Sequence, residues 1–132
     1  MALVGEITVQ GRILTLYNAH LESRGDDGLR YDQLREMLSE IVHGSEARVV
    51  VAGDFNFDVS RGPAAELVRA TQLDNPFMSL GGRPTALRGR NSDHARIDWI
   101  LSGKCVSARN PEIRDSIAAS DHFPLSLQIR LL

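Results

Sequence analysis

The most constraining feature of the sequence is the segment Ala47 to Ala52, which carries three consecutive valines and no polar alternation. This pattern predicts a strand covered on both faces, because a strand with one face in water alternates apolar and polar residues. Gly53-Asp54-Phe55-Asn56 follows directly. Loops behind a buried strand commonly carry binding or catalytic groups. We therefore expect a layered α/β structure built around this strand.

Hydrophobic periodicity predicts the other elements. Two β-rich runs on either side of Gln10-Gly11 predict a hairpin, and apolar residues at helical spacing predict two helices. A segment with two prolines and Gly81-Gly82 predicts a long irregular loop. In chain order the predicted elements are strands Leu3–Val9 and Arg12–Leu21, a helix Leu29–Val42 capped by Gly44, a strand Ala47–Ala52, a helix Ser60–Thr71, a loop Asp74–His94, and strands Arg96–Ser102, Cys105–Arg109 and Phe123–Leu131.

Length and composition exclude several classes of protein. The 132 residues are 42% hydrophobic, which predicts one domain spanning residues 1–132. A net charge of -2 gives no global basic field for nucleic acid. The only cysteine, Cys105, excludes a disulfide framework and favours a reducing compartment. Since no apolar run approaches the roughly 20 residues of a membrane span, we expect a cytoplasmic protein.

Four short polar clusters lie at predicted strand ends. They are Asn18-Ala19-His20-Leu21, Gly53-Asp54-Phe55-Asn56, Ile97-Asp98-Trp99-Ile100 and Ser120-Asp121-His122-Phe123-Pro124-Leu125. In this order and at these separations they resemble the endonuclease/exonuclease/phosphatase family, metal-dependent phosphoesterases that include DNase I-like nucleases. The resemblance implies an α/β (α+β) fold: the C-terminal half of a DNase I-like four-layer αββα sandwich, with a mainly antiparallel sheet and two helices on one face.

The resemblance also implies a role for most of the polar residues. It makes His122 the general base and Asp54 the group that orients the attacking water. It makes Asn18, His20 and Asn56 contacts to the phosphoryl oxygens. Residue chemistry agrees, because phosphoester hydrolysis needs a base for water, a cation for the developing charge and donors on the phosphoryl oxygens.

Carboxylate chemistry suggests two further roles. An imidazole with a pKa near 6.5 suits a base, and a neighbouring carboxylate fixes its tautomer. We therefore expect Asp98 to accept a hydrogen bond from His122 across neighbouring strands of one sheet. Mg²⁺ or Mn²⁺ prefers oxygen ligands, and Asp121 is the candidate metal ligand. The family's principal glutamate ligand has no counterpart here, so we expect weak metal binding and slow hydrolysis by the chain alone.

Simpler interpretations stay open for several of these residues. A histidine that ends a strand, as His20 does, is usually structural, and Asp54 with Asn56 can form only an Asx turn. The alternative function is a non-catalytic remnant that binds phosphate ligands or proteins. The expected partners are a phosphate ester of unspecified class and, because half a sandwich leaves one sheet face bare, a second copy of the chain or a separate N-terminal half.

Overall fold

A computed structural model describes residues 1–43, 48–88, 93–117 and 119–132. The predicted cap Gly44 and the first residue of the predicted third strand, Ala47, lie outside the described residues. The elements in chain order are β1 (Ala2–Val9), β2 (Arg12–His20), α1 (Asp27–His43), β3 (Val49–Asp54), α2 (Gly62–Ala70), the 3₁₀ helix η1 (Pro76–Leu80), β4 (Ala86–Arg88), β5 (Asp93–Ala95), β6 (Asp98–Ser102), β7 (Val106–Ile113) and β8 (Leu125–Leu131).

The main sheet has four strands in the order β1-β2-β3-β6. β1 and β2 form the predicted antiparallel hairpin, in which Gln10 and Gly11 both have positive φ, at 50° and 75°. Two positive φ angles in a two-residue turn match the type I′ geometry that follows strand twist. α1 connects β2 to the parallel strand β3, and β6 runs antiparallel to β3. The sheet is therefore mainly antiparallel, as predicted.

One face of this sheet, here called the helix face, holds the main core. Tyr17, Val51, Trp99 and Leu101 point from it into a cluster that contains the apolar residues of both helices. Those helical residues are Leu34, Met37, Leu38 and Ile41 from α1, and Ala64 and Val68 from α2. Both helices thus cover the same face, which confirms the expected half-sandwich arrangement.

The opposite face, here called the open face, carries Leu3, Ile7, Leu16, Ala52 and Ile100. Leu3 is 63% exposed and Ile7 is 46% exposed. Part of this face is nevertheless covered, because residues of the β7–β8 pair, Val106 and Leu131, pack on Leu14 and Val50. The expectation of a wholly bare face is therefore right only for the β1 side.

The prediction of an irregular loop from Asp74 to His94 is wrong. The segment contains η1 and the short β4–β5 hairpin. The amide of Leu87 donates to the carbonyl of Asp121, and the amide of Phe123 donates to that of Thr85, both at 2.7 Å. These partners are distant along the chain, so local composition does not reveal them.

Several predicted strand boundaries also move, among them the start of β6, which is Asp98 rather than Arg96. β8 begins at Leu125 rather than Phe123, because the Phe123 amide pairs with Thr85 and Pro124 has no amide hydrogen to donate. β7 continues past Arg109 to Ile113, with an irregular register between Arg109 and Glu112. Among the described helices, none is long and apolar enough to cross a membrane.

Candidate active site

The sheet register brings three polar side chains into one row on the open face. His20 on β2 is opposite Asp54 on β3, and Asp54 is opposite Asp98 on β6. Residues directly opposite each other in a sheet point to the same face. The row lies where the parallel strands β2 and β3 end, so the sequence clusters meet at one end of the sheet.

The turn after β3 depends on two unusual backbone positions. Gly53 has a φ of 144°, and a Cβ there would lie 1.9 Å from the carbonyl oxygen of Ala19, so no other residue fits. Asn56 has a φ of 56°, and its backbone N–H donates to Asp54 Oδ1 at 2.8 Å. The Asx turn considered from the sequence therefore exists. It uses one oxygen of Asp54.

His122 lies between two carboxylates. Its Nδ1 is 3.0 Å from both carboxylate oxygens of Asp98, and its Nε2 is 3.9 Å from Asp54 Oδ2. The predicted contact between His122 and Asp98 is therefore present. The expectation that the two residues lie on neighbouring strands of one sheet is wrong. His122 precedes β8 and forms an isolated bridge with Ala86, while Asp98 belongs to the four-stranded sheet. A short bridge brings the two residues together.

The pKa values of Asp98 and His122 are both raised, for different physical reasons. Burial raises the pKa of Asp98, and hydrogen bonds from Thr85 and His122 offset this only in part. Burial lowers the pKa of His122, but the hydrogen bond to Asp98 and the charges of Asp98, Asp54 and Asp121 outweigh it. The net pKa of His122 lies above its ordinary value. The imidazolium is thus stabilised where it would form during base catalysis.

The remaining predicted site residues differ in burial and in their distance from Asp54 and Asp98. His20 is exposed, with Nε2 at 3.7 Å from Asp54 Oδ2. Asn18 lines a cleft of about 280 Å³ together with Asp54 and Asp98. Asn56 is buried and its Nδ2 donates to the carbonyl oxygen of Leu21 at 3.1 Å. Asp121 is exposed and its Oδ1 accepts from Ser120 Oγ at 3.3 Å, outside the cluster of ligand atoms described next.

Three groups lie close enough together to hold a metal ion. Ligand atoms of Asp54, Asp98 and His122 are all within 4.8 Å of one another. Mg²⁺ prefers oxygen, and both Asp98 oxygens already contact His122 Nδ1. Asp54 Oδ2 is therefore the oxygen best placed for a cation. These three residues fit a divalent cation, to which their cluster offers few oxygen ligands.

Sequence reasoning missed one residue of the site, Thr85. Its hydroxyl is 2.8 Å from Asp98 Oδ2 and the residue is 1% exposed. No local pattern marks it, because the contact spans 13 residues and depends on the hairpin between β4 and β5. A threonine directly after Pro84 in a polar segment is the one weak signal in the sequence.

Comparison with known proteins agrees with this architecture. The profile of the Endonuclease/Exonuclease/phosphatase family matches residues 2–122. No curated protein matches the chain significantly in sequence. Among solved structures, the endonuclease domain of TRAS1, a telomere-specific non-LTR retrotransposon, superposes with a TM-score of 0.75 at 15% identity, over 98% of this chain and 62% of that one.

Two further structures show the same fold. D. rerio TDP2, humanized by 14 mutations, has a TM-score of 0.71 at 22% identity, covering 98% of this chain and 60% of its own. The mannosyl-6-phosphatase of Bacteroides thetaiotaomicron VPI-5482 has a TM-score of 0.65 at 19% identity, covering 92% and 53%. The chain thus spans between 53% and 62% of these three structures. On the family match over residues 2–122, the chain belongs to the endonuclease/exonuclease/phosphatase family.

Proposed function

We propose that the chain is a metal-dependent phosphoester hydrolase in which His122 activates water and Asp98 holds His122. The observation that carries this proposal is the position of His122 between two carboxylates, with Nδ1 at 3.0 Å from Asp98 and Nε2 at 3.9 Å from Asp54 Oδ2. A base held by one carboxylate and facing a second group across a gap is the arrangement that water activation needs.

The two ring nitrogens of His122 have different roles in the proposed proton transfer. With Nδ1 donating to Asp98, Nε2 of neutral His122 keeps a lone pair toward the Asp54 side. A water bonded to both Nε2 and Asp54 Oδ2 is oriented by the carboxylate and gives its proton to Nε2 as its oxygen attacks phosphorus. The P–O bond to the alcohol breaks in exchange, and the departing alkoxide takes up a proton from solvent. Asp98 then stabilises the imidazolium without taking the proton.

The phosphate is held by other residues of the chain. The exposed His20 and Asn18, which lie on the same end of the open face, are the proposed donors to the phosphoryl oxygens. Asn56 stays a predicted phosphate contact, and its observed contribution is to shape the turn that presents Asp54. A divalent cation, Mg²⁺ or Mn²⁺ on Asp54 with Asp121 as a further predicted ligand, supplies charge stabilisation when bound.

The proposed substrate is a phosphate ester. The similar structures are named as an endonuclease domain, TDP2 and a sugar phosphatase, which share phosphorus chemistry but not one substrate. The net charge of -2 offers no general attraction for nucleic acid. We therefore propose a phosphate ester and test it with a generic one. Cys105 as the only cysteine supports a reducing, cytoplasmic location as part of this proposal.

The open face supports a proposal about partners. Leu3 and Ile7 are exposed there, and the polar row of the site opens onto the same face. Apolar patches of this kind mark contact surfaces in soluble proteins. We propose that this face is covered by a second sheet, from another copy of the chain or from an N-terminal half, and that the cover completes the metal site.

The test is a titration with Mg²⁺ or Mn²⁺ in the presence of bis(p-nitrophenyl) phosphate. We expect slow hydrolysis that depends on the metal, disappears in His122→Gln and persists in Asp32→Asn. Asp32 is a matched polar control because it sits exposed on α1, paired only with Arg35 among the ion pairs of the described residues. Hydrolysis unaffected by His122→Gln contradicts the proposal.

Within the described residues, the cluster of Asp54, Asp98 and His122 offers few oxygen ligands, which favours one second candidate, a phosphate-binding protein without turnover. In that case the titration shows no hydrolysis at any metal concentration. Binding of a non-hydrolysable phosphonate, measured by calorimetry, then separates a phosphate-binding remnant from a protein with neither property.

A further inference from the structure

Thr85 lies at the centre of the hydrogen bonds around the His122–Asp98 pair. The side-chain hydroxyl accepts the backbone amides of Ile97 and Asp98, each at 2.9 Å. A hydroxyl has two acceptor lone pairs and one proton. With both lone pairs occupied, the proton has one remaining partner, Asp98 Oδ2 at 2.8 Å. The surrounding backbone therefore fixes the direction in which Thr85 donates.

The backbone of residues 85–87 also contacts the segment that carries His122. The carbonyl of Thr85 accepts the amide of Phe123, and the amide of Leu87 donates to the carbonyl of Asp121, both at 2.7 Å. These two bonds bracket His122 on either side. Ala86, between Thr85 and Leu87, forms the bridge with His122. One three-residue segment thus contacts both Asp98 and the backbone around His122.

We propose that Thr85 is a positioning residue that sets the orientation of the Asp98 carboxylate and, through it, the tautomer of His122. The kinetic part of this inference rests on the proposed hydrolase function, whereas the structural part does not. A carboxylate held at one oxygen by a fixed donor cannot rotate freely, so it presents a constant acceptor to Nδ1. A base with a fixed Nδ1 proton keeps Nε2 available for water.

A second buried threonine, Thr15, provides a control for the loss of a buried hydroxyl. Thr15, on β2, is 5% exposed, and its Oγ1 has no hydrogen-bond partner among the described residues. Its hydroxyl is therefore dispensable to the site, and Thr15→Val is the matched control for Thr85→Val. Both changes keep the β-branched shape and remove one buried hydroxyl.

The first experiment measures the tautomer of His122 by ¹⁵N NMR of the metal-free protein, at a pH where the same spectra show that the ring has lost its second proton. We expect the Nδ1–H form in the wild type, in Thr85→Ser and in Thr15→Val. In Thr85→Val we expect a mixture that includes the Nε2–H form. Thr85→Val also leaves the amides of Ile97 and Asp98 unpaired, so Thr85→Cys is the variant measured if the valine protein does not fold. A thiol donates and accepts much more weakly than a hydroxyl, so we expect Thr85→Cys to change the tautomer in the same direction as Thr85→Val.

The second experiment measures kcat and KM with bis(p-nitrophenyl) phosphate and Mn²⁺. Loss of a residue that orients a catalytic group costs about tenfold to hundredfold in activity. We expect this loss in kcat for Thr85→Val, with KM unchanged, restoration in Thr85→Ser and no loss in Thr15→Val. A general loosening of the fold instead lowers the melting temperature without rescue by serine.

The two readouts separate the inference from the function on which it rests. If the wild type does not hydrolyse the ester but Thr85→Val changes the tautomer, the positioning role stands and the hydrolase proposal fails. If Thr85→Val, or Thr85→Cys in its place, keeps the Nδ1–H tautomer, the positioning role is overturned, whatever the kinetics.

Discussion

The two faces of the four-stranded sheet differ in what covers them and in what they carry. On the helix face, Val51, Trp99 and Leu101 are fully buried beneath the helices. On the open face, Leu3 and Ile7 are exposed, and His20, Asp54 and Asp98 stand in one row. The same strands, β2, β3 and β6, supply both sets of side chains.

This difference shows how closely stability and chemistry are linked in one sheet. Because side chains alternate between faces, moving β3 by one residue turns Val51 to the open face and Asp54 to the helix face. Register is therefore set by the apolar core, and the row of His20, Asp54 and Asp98 follows from it. The larger apolar core lies on the helix face. The open face is the one that we propose to hold the substrate and a covering partner.

The largest expected effect comes from the polar end of the open face. Asp98→Asn keeps the shape of the side chain but cannot hold the Nδ1–H tautomer of His122, so we expect kcat to fall by about 10²-fold to 10⁴-fold. The measurement is initial-rate hydrolysis of bis(p-nitrophenyl) phosphate with saturating Mn²⁺. Asp32→Asn on the surface of α1 is the control, and equal rates for the two variants contradict the assignment.

The next largest effect is the loss of stability caused by a leucine-to-alanine substitution, which we compare between the two faces. Leu101→Ala on the helix face empties a fully buried position and is expected to cost about 2–5 kcal/mol in the free energy of unfolding. Leu3→Ala on the open face is expected to change it by less than about 0.5 kcal/mol. Urea denaturation measures both. A large loss for Leu3→Ala shows that this face is already covered in solution.

A smaller effect concerns the proposed partner. Leu3→Glu places a charge on the exposed open face, so we expect it to weaken any self-association by about tenfold, or about 1.4 kcal/mol. Leu29→Glu, at an exposed position on α1, is the matched control. Sedimentation velocity over a concentration series gives both constants. A wild-type chain that stays monomeric in this series excludes the second copy and leaves an N-terminal half as the proposed cover.

The smallest effect is on pH dependence. The base must be neutral to accept a proton, and the pKa of His122 is raised, so kcat/KM should increase with pH through a midpoint above about 6.5. The same shift makes His122 stabilise the fold below about pH 6.5, a contribution lost as pH rises through its folded pKa. A rate profile with its midpoint below 6.5 contradicts the raised pKa.

The sequence predicted the elements whose signals are local. The valine run, the Gln10-Gly11 hairpin and both helices appear where periodicity placed them. The family resemblance drew attention to the polar clusters, and the register of β2, β3 and β6 places His20, Asp54 and Asp98 in one row, while their roles stay predictions. The prediction that residues 1–132 form one domain stays a prediction.

What could not be predicted depends on contacts between distant segments. The bridge from Ala86 to His122 and the two backbone hydrogen bonds beside it join residues about 35 positions apart. For the same reason Thr85 and the true start of β8 were missed. Asp121, chosen as a metal ligand from its residue type, lies exposed outside the clustered ligand atoms, so its role remains a prediction.

The most direct test of the central claim, that His122 is the base at the open end of the sheet, is chemical rescue. His122→Ala should lower Mn²⁺-dependent hydrolysis of bis(p-nitrophenyl) phosphate by about 10²-fold or more, and added imidazole at pH 8 should restore part of the rate. His20→Ala, which removes a proposed phosphate contact, should not respond to imidazole. An unchanged rate in His122→Ala, or equal rescue of both variants, contradicts the claim.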